Sequence, residues 1–418
     1  MALLFLCLIF GTGRTQKIEA AVQNVPESLE EESRLDTVGT DQETERAAVR
    51  EKKGQQEKEA GDTETDQAAA AQDELLAELD FDAIQQEVDS LLSSQQFSFA
   101  GTVRSLLQDG DPFRTFRAGN AVLSCAKTAF LAQKGLMKEL FLLVLAGAVL
   151  GSFSSLFEGK QVRDASFYMV YLLALALILK NFQSSGENLK AVITSLVAFM
   201  RILTPSYYLA AAAAGGASSA VMFYQMLLLV ILAVEKLLLA LVLPMIHIYL
   251  LIALVNDLSG EEILSHMTEL LETCVNGLLK SSLGVLVGMQ MIRNLIAPAL
   301  DSLRQMALWR TAGMIPGIGN AVNAVTELVA GSAVLIRNCF GVTAMLVLLA
   351  AGMVPAVKLL VSGLSFRLLA AAAQPVSDKR IAGCLAAAGK GYAMLLRLLL
   401  TVEVLFLLTI AILAGTFS

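Results

Sequence analysis

This 418-residue chain has only two histidines, His247 and His266, and five scattered cysteines, Cys7, Cys125, Cys274, Cys339 and Cys384. No two cysteines form a CxxC pair, so neither a disulfide framework nor a zinc site is expected. The cysteines read as small buried or lipid-facing residues. The histidines lie more than a helical turn apart, and no HExxH string occurs. Too little remains to assemble a histidine-pair metal site or a Ser-His-Asp hydrolase. The glycines at 313–319 are not followed by Lys-Ser/Thr or preceded by a strand, which excludes both nucleotide fingerprints. No catalytic, metal or cofactor residues are assigned.

Charge is unevenly placed. The first 100 residues hold 22 acids against 8 bases, a net of −14, whereas the other 318 hold 16 acids against 23 bases, a net of +7. An acidic polar head stays solvated, and a basic balance in loops between apolar spans suits anionic lipid. Neither half implies nucleic acid.

Near Leu136 the polar stretch gives way to apolar runs at 140–156, 165–179, 226–255, 342–361 and 398–414. About 20 such residues cross a bilayer core. The fold expected is an all-α, polytopic integral membrane helix bundle of seven or eight spans, preceded by a disordered acidic N-terminal region, with the lipid bilayer as its first partner.

Four regions follow. Residues 1–21 are a signal-like apolar segment that lacks a basic n-region; if it acts as a signal peptide, the acidic head is exported. Residues 22–72 hold no aromatic residue and read as a disordered tether. Residues 73–135 carry short amphipathic helices, one from Asp73 to Leu92 and a second from Phe99 to Leu107, stopped by Gly110-Asp111-Pro112. Residues 136–418 are the membrane domain. Within it, residues 257–279 read as an amphipathic surface helix with Ile263, Met267, Leu270, Leu271 and Val275 on one stripe. Residues 310–320 read as a loop or re-entrant turn.

Pro244 and Pro355 stand in long apolar runs as helix kinks, in strings 111 residues apart that align loosely. Ser-plus-charge strings after them, at Leu258 and Val376, form a second similar pair. These pairs suggest an internal repeat; matched broken helices in two halves point to a transport pathway, whereas independent occurrence of such strings is the alternative. Gly215, Gly216, Ser218 and Ser219 belong at a packing interface, because small residues let helices approach closely.

Charges inside or beside the spans are the candidate functional residues: Glu235, Lys236, Glu327, Arg337, Lys358, Arg397 and Glu403. Glu403 is the strongest, with apolar residues on both sides. Arg397, six positions earlier, reaches it only along the helix. A structural ion pair or snorkelling near the interface competes with an ion-conducting role.

Several strings in order resemble the stage III sporulation protein AE family of endospore-forming bacteria: Thr204-Pro205, residues 215–220, Leu243-Pro244, Arg310-Thr311-Ala312 with Pro316 and Gly319, and Gln374-Pro375-Val376-Ser377-Asp378. The resemblance covers residues 97–418. It implies a non-enzymatic component of the channel complex encoded by the stage III sporulation A operon, lying in the outer forespore membrane and required for forespore development. The implied partners are the other membrane products of that operon and, indirectly, stage II sporulation protein Q. Two rival readings remain, an ion-coupled secondary transporter or permease and an assembly scaffold without a pore.

Overall fold

The computed structural model describes residues 80–92, 97–109, 118–154, 160–213, 218–259, 264–312 and 319–415. The signal-like segment and the acidic tether lie outside the described residues. All described elements are helical, as an all-α membrane bundle requires: α1 (Phe81–Leu91), α2 (Phe99–Asp109), α3 (Ala118–Ser154), α4 (Lys160–Ala213), α5 (Ser218–Leu237), a π-helical turn (Leu238–Val242), α6 (Leu243–Ser259), α7 (Ser265–Ala312), α8 (Gly319–Ala373) and α9 (Lys379–Gly415).

The two short helices start on capping residues. Asp80 accepts a hydrogen bond from the Ala83 amide (3.1 Å), and Ser98 Oγ accepts one from the Gly101 amide (3.1 Å), each satisfying an orphan donor of a first turn. Gln85 then ties the start of α2 to α1. Its Oε1 accepts from the Phe99 amide (2.8 Å), while its Nε2 donates to the Phe97 carbonyl (2.7 Å). The buried faces, Ile84 and Val88 on α1 and Phe99 and Val103 on α2, pack on α4 and α8. Phe99 meets Phe340 of α8 edge-on at 5.0 Å, and Tyr207 of α4 tilts against the same ring at 6.3 Å. The amphipathic pair expected from the sequence is thus a hairpin seated on the bundle.

The compositional break at Leu136 falls inside α3, because apolar and polar side chains alike sustain helix when no Pro or loop signal intervenes. Among the described residues, five stretches are long and apolar enough to cross a membrane: Phe167–Tyr207, Leu228–Ser259, Ser265–Met289, Gly331–Ala373 and Lys379–Ile412. Four of them overlap apolar runs read from the sequence. The third revises the reading of residues 257–279 as a surface helix. Residues up to Ser259 finish α6, and α7 begins at Ser265 and continues for 48 residues. The supposed stripe does not share one environment, since Val275 is buried while Met267 and Leu270 are about half exposed. Helices α4 and α8, 54 and 55 residues long, each rise about 80 Å, more than twice the hydrocarbon thickness, so both extend beyond it.

The two kink prolines have different surroundings. Pro244 follows the π-helical turn, where the Leu243 amide donates to the Leu238 carbonyl across a widened turn. Such a turn makes room for a ring that has no N–H and crowds the carbonyl four residues back. Pro355 sits inside the uninterrupted α8. Of the two Ser-plus-charge strings, the first has only Leu258 and Ser259 among the described residues, at the end of α6, and the second falls at the α8–α9 turn.

Contacts fix the directions of the helices. Asp257 faces Gly383 and Leu250 faces Gly391, so α6 runs antiparallel to α9. Gly352 faces Glu403 and Gly363 faces Tyr392, so α8 is antiparallel to α9 as well. Lys390 pairs with Glu272, and Arg397 Nη1 donates to Asn276 Oδ1 (3.0 Å), which sets α7 parallel to α9. The helices that carry Pro244 and Pro355 therefore point one way and the helices that follow them point the other.

Candidate functional site

A seam of polar side chains runs through the bundle between α4, α6, α8 and α9. At one end Tyr171 of α4 donates its hydroxyl to the Leu254 carbonyl of α6 (2.5 Å). Cys384 of α9 lies beside that hydroxyl, and Asp257 of α6 lies over Gly383. Nearby, Lys390 holds Glu272 and stands 5.9 Å from the Tyr249 ring. Arg380 lies 5.4 Å over the Phe167 ring.

About eight residues along α9 from Cys384 sits a more tightly specified node. Asn181 Nδ2 donates to Tyr392 Oη (2.7 Å), Ser185 Oγ lies 3.2 Å from Tyr392 Oη, and Ser185 Oγ donates to the Asn181 carbonyl (2.9 Å). Since the serine proton is already committed to that carbonyl, the tyrosine hydroxyl donates to Ser185. Asn181, Tyr392 and Ser185 thus close a ring of hydrogen bonds in which each hydroxyl both gives and receives. Phe366 stacks on Tyr392 at 5.3 Å, and Phe182 meets both Tyr392 and His247 edge-on at 5.2 Å. His247 Nδ1 donates to the Leu243 carbonyl (2.8 Å), which assigns the proton to Nδ1. Its far edge rests on Gly186, where a Cβ would lie 2.5 Å from the ring carbon Cε1. Only glycine permits α4 and α6 to approach this closely there.

Beyond the node lie two of the three intramembrane acids singled out from the sequence. Glu235 is 5% exposed on α5, while the adjacent Lys236 is exposed, as the 100° step between helix neighbours dictates. Arg201 of α4 is the cation that acts on Glu235. Glu403 is 7% exposed on α9, and its carboxyl occupies the space that a side chain on Gly352 of α8 would fill. Arg397 does not pair with it, being exposed and turned to Asn276. Lys358 is exposed. Arg337, 1% exposed on α8, is engaged by neighbouring groups. The side chains of Glu327, Ser218 and Ser219, together with Gly215 and Gly216, lie outside the described residues.

The seam shows what sequence reasoning missed. Tyr171, Asn181, Ser185, Tyr392 and Asp257 were not singled out, although Asn181 and Ser185 do interrupt the apolar pattern after Leu179. Their partners lie as many as 211 residues away, beyond any local signal. Among the described residues no group of three or more His, Cys, Asp or Glu side chains is placed to hold a metal ion. What the seam accomplishes is registration of helices. Each polar contact between facing helices fixes one axial position, where apolar surfaces alone would slide.

A model of the family described as stage III sporulation protein AE matches residues 97–416. Stage III sporulation protein AE of Bacillus subtilis (strain 168) is 22% identical over 291 residues, 69% of this chain and 73% of that protein. No solved structure matches the chain.

Proposed function

The chain belongs to the stage III sporulation protein AE family, and from that premise we propose that it is a non-enzymatic membrane component of a channel complex joining mother cell and forespore. The observation that supports this most directly is the extent of the family match. It begins at Phe97, two residues before α2, and ends just past α9, covering every described span. The unit that the family model covers is thus α2 with the whole bundle, and α1 lies outside it. In this reading the protein occupies the outer forespore membrane, with the other membrane products of the stage III sporulation A operon as neighbours and stage II sporulation protein Q reached indirectly from the forespore side. The helices supply a conduit wall or its platform, held in register by the polar seam, with no covalent chemistry.

The test is deletion of the gene in the organism that carries it, with a fluorescent fusion restored under its own promoter. Expected are loss of heat-resistant spores in the deletion, recovery with the fusion, fluorescence around the engulfed forespore, and crosslinking to operon products. Normal spore yield without the gene, or fluorescence spread evenly over the mother-cell membrane, contradicts the proposal.

A further inference from the structure

Glu403 is the charge-bearing group that the bundle treats most unusually. It stands six residues past Arg397 on α9, and Gly352 stands six before Lys358 on α8, so the pair is about 9 Å inside the nearest charged side chain on either helix. Both Arg397 and Lys358 are exposed, and Arg397 is turned to Asn276 of α7. Among the described residues no ion pair joins Glu403, and no titratable or charged group from any packed helix acts on it. Glu235 differs, since Arg201 reaches it.

The contact with Gly352 is what makes the position a built one. Helices α8 and α9 form the most extensive helix pair of the bundle, and the glycine leaves a notch that the carboxyl fills. The flanking residues Ala351, Val402 and Leu405 are buried and apolar. The buried threonines farther along the two helices are committed to their own backbones: Thr409 donates to the Leu405 carbonyl (2.6 Å) and Thr343 to the Cys339 carbonyl (2.8 Å). A sodium or divalent ion needs several oxygen ligands, and a single carboxyl in an apolar notch does not supply them. An ionised carboxylate without a cation is costly in such surroundings. A proton is the one ligand that a lone carboxyl can hold.

We propose that Glu403 is a proton-binding site at the α8–α9 contact, occupied when the two helices close over Gly352 and emptied when they part and admit water. Proton uptake converts the carboxylate to the carboxylic acid, with no other bond changed. The site gives the bundle a means of coupling the local pH at the membrane to the packing of its two longest-paired helices.

Difference infrared spectroscopy tests this on the full chain in phosphatidylglycerol-containing vesicles. Acid-minus-alkaline spectra are expected to hold a carboxylic C=O component that falls about tenfold per pH unit once the group ionises and is missing from Glu403→Gln. Gly352→Ala, which keeps the acid but refills the notch, should retain that component at a shifted frequency. The proposal is overturned if Glu403→Gln keeps the whole wild-type difference spectrum. It is equally overturned if the component is present but Gly352→Ala leaves its frequency unmoved.

Discussion

Tyr392 has the most demanding position of any single side chain described. Its hydroxyl closes the ring with Asn181 and Ser185, while its ring face stacks on Phe366. Tyr392→Phe keeps the stacking and removes one acceptor and one donor together, leaving the Asn181 amide to find another partner. Thermal unfolding in detergent should report a loss of about 1 kcal/mol, at the upper side of what interhelical hydrogen bonds contribute in membranes. Gly186 makes a different demand, for space. Gly186→Leu drives a side chain into His247 and should cost about 1–3 kcal/mol through overpacking. The same substitution at Gly277, where a Cβ meets nothing within 4 Å, should leave the melting temperature nearly unchanged. Of these residues the sequence displays Glu403 plainly, because one acid in a long apolar run is visible without a partner. It conceals Tyr392, because a tyrosine in an apolar helix is ordinary until the residues opposite are known.

At the scale of elements, the π-helical turn and the seated hairpin are the features to perturb. Deleting Ala240 from Leu238–Val242 returns the turn to α-helical register. Five residues of a π-helical turn rotate the chain about as far as four α-helical residues at about 100° each, so α5 keeps its face toward the bundle. A cysteine placed at Glu235 should be protected from a maleimide in the parent chain and in the deletion alike; labelling in the deletion alone would mean that the widened turn does more than absorb one residue. The hairpin depends on Gln85, which satisfies two backbone groups of the connection at once. Gln85→Ala should cost about 1–2 kcal/mol and make α1 and α2 cleavable in limited proteolysis while the spans remain resistant. Helical periodicity makes both short helices readable in the sequence. Their docking on Phe340 is not, since an aromatic ring in an apolar run carries no sign of which element covers it. The start of α7 misleads in the opposite sense. Its glutamates at positions 269 and 272 suggest a helix lying on a surface, yet one of them is satisfied by Lys390 and the helix continues through an apolar stretch.

For the molecule as a whole, the exposed surface argues as strongly as the buried one. Met169, Leu229, Met291, Leu142 and Leu368 are each more than half exposed on the outside of helices, alongside many similar residues. Soluble proteins rarely present continuous apolar surface on this scale, and lipid tolerates it. Apolar runs legible in the sequence thus account for the class of the fold, and helix direction and the polar seam come only from the packing of distant segments. Alkaline carbonate extraction of membranes from cells expressing the full chain tests the central claim, that these helices are buried in a bilayer. The account predicts that the protein stays with the membrane pellet and is released by detergent alone; recovery of the intact chain in the carbonate supernatant would contradict it.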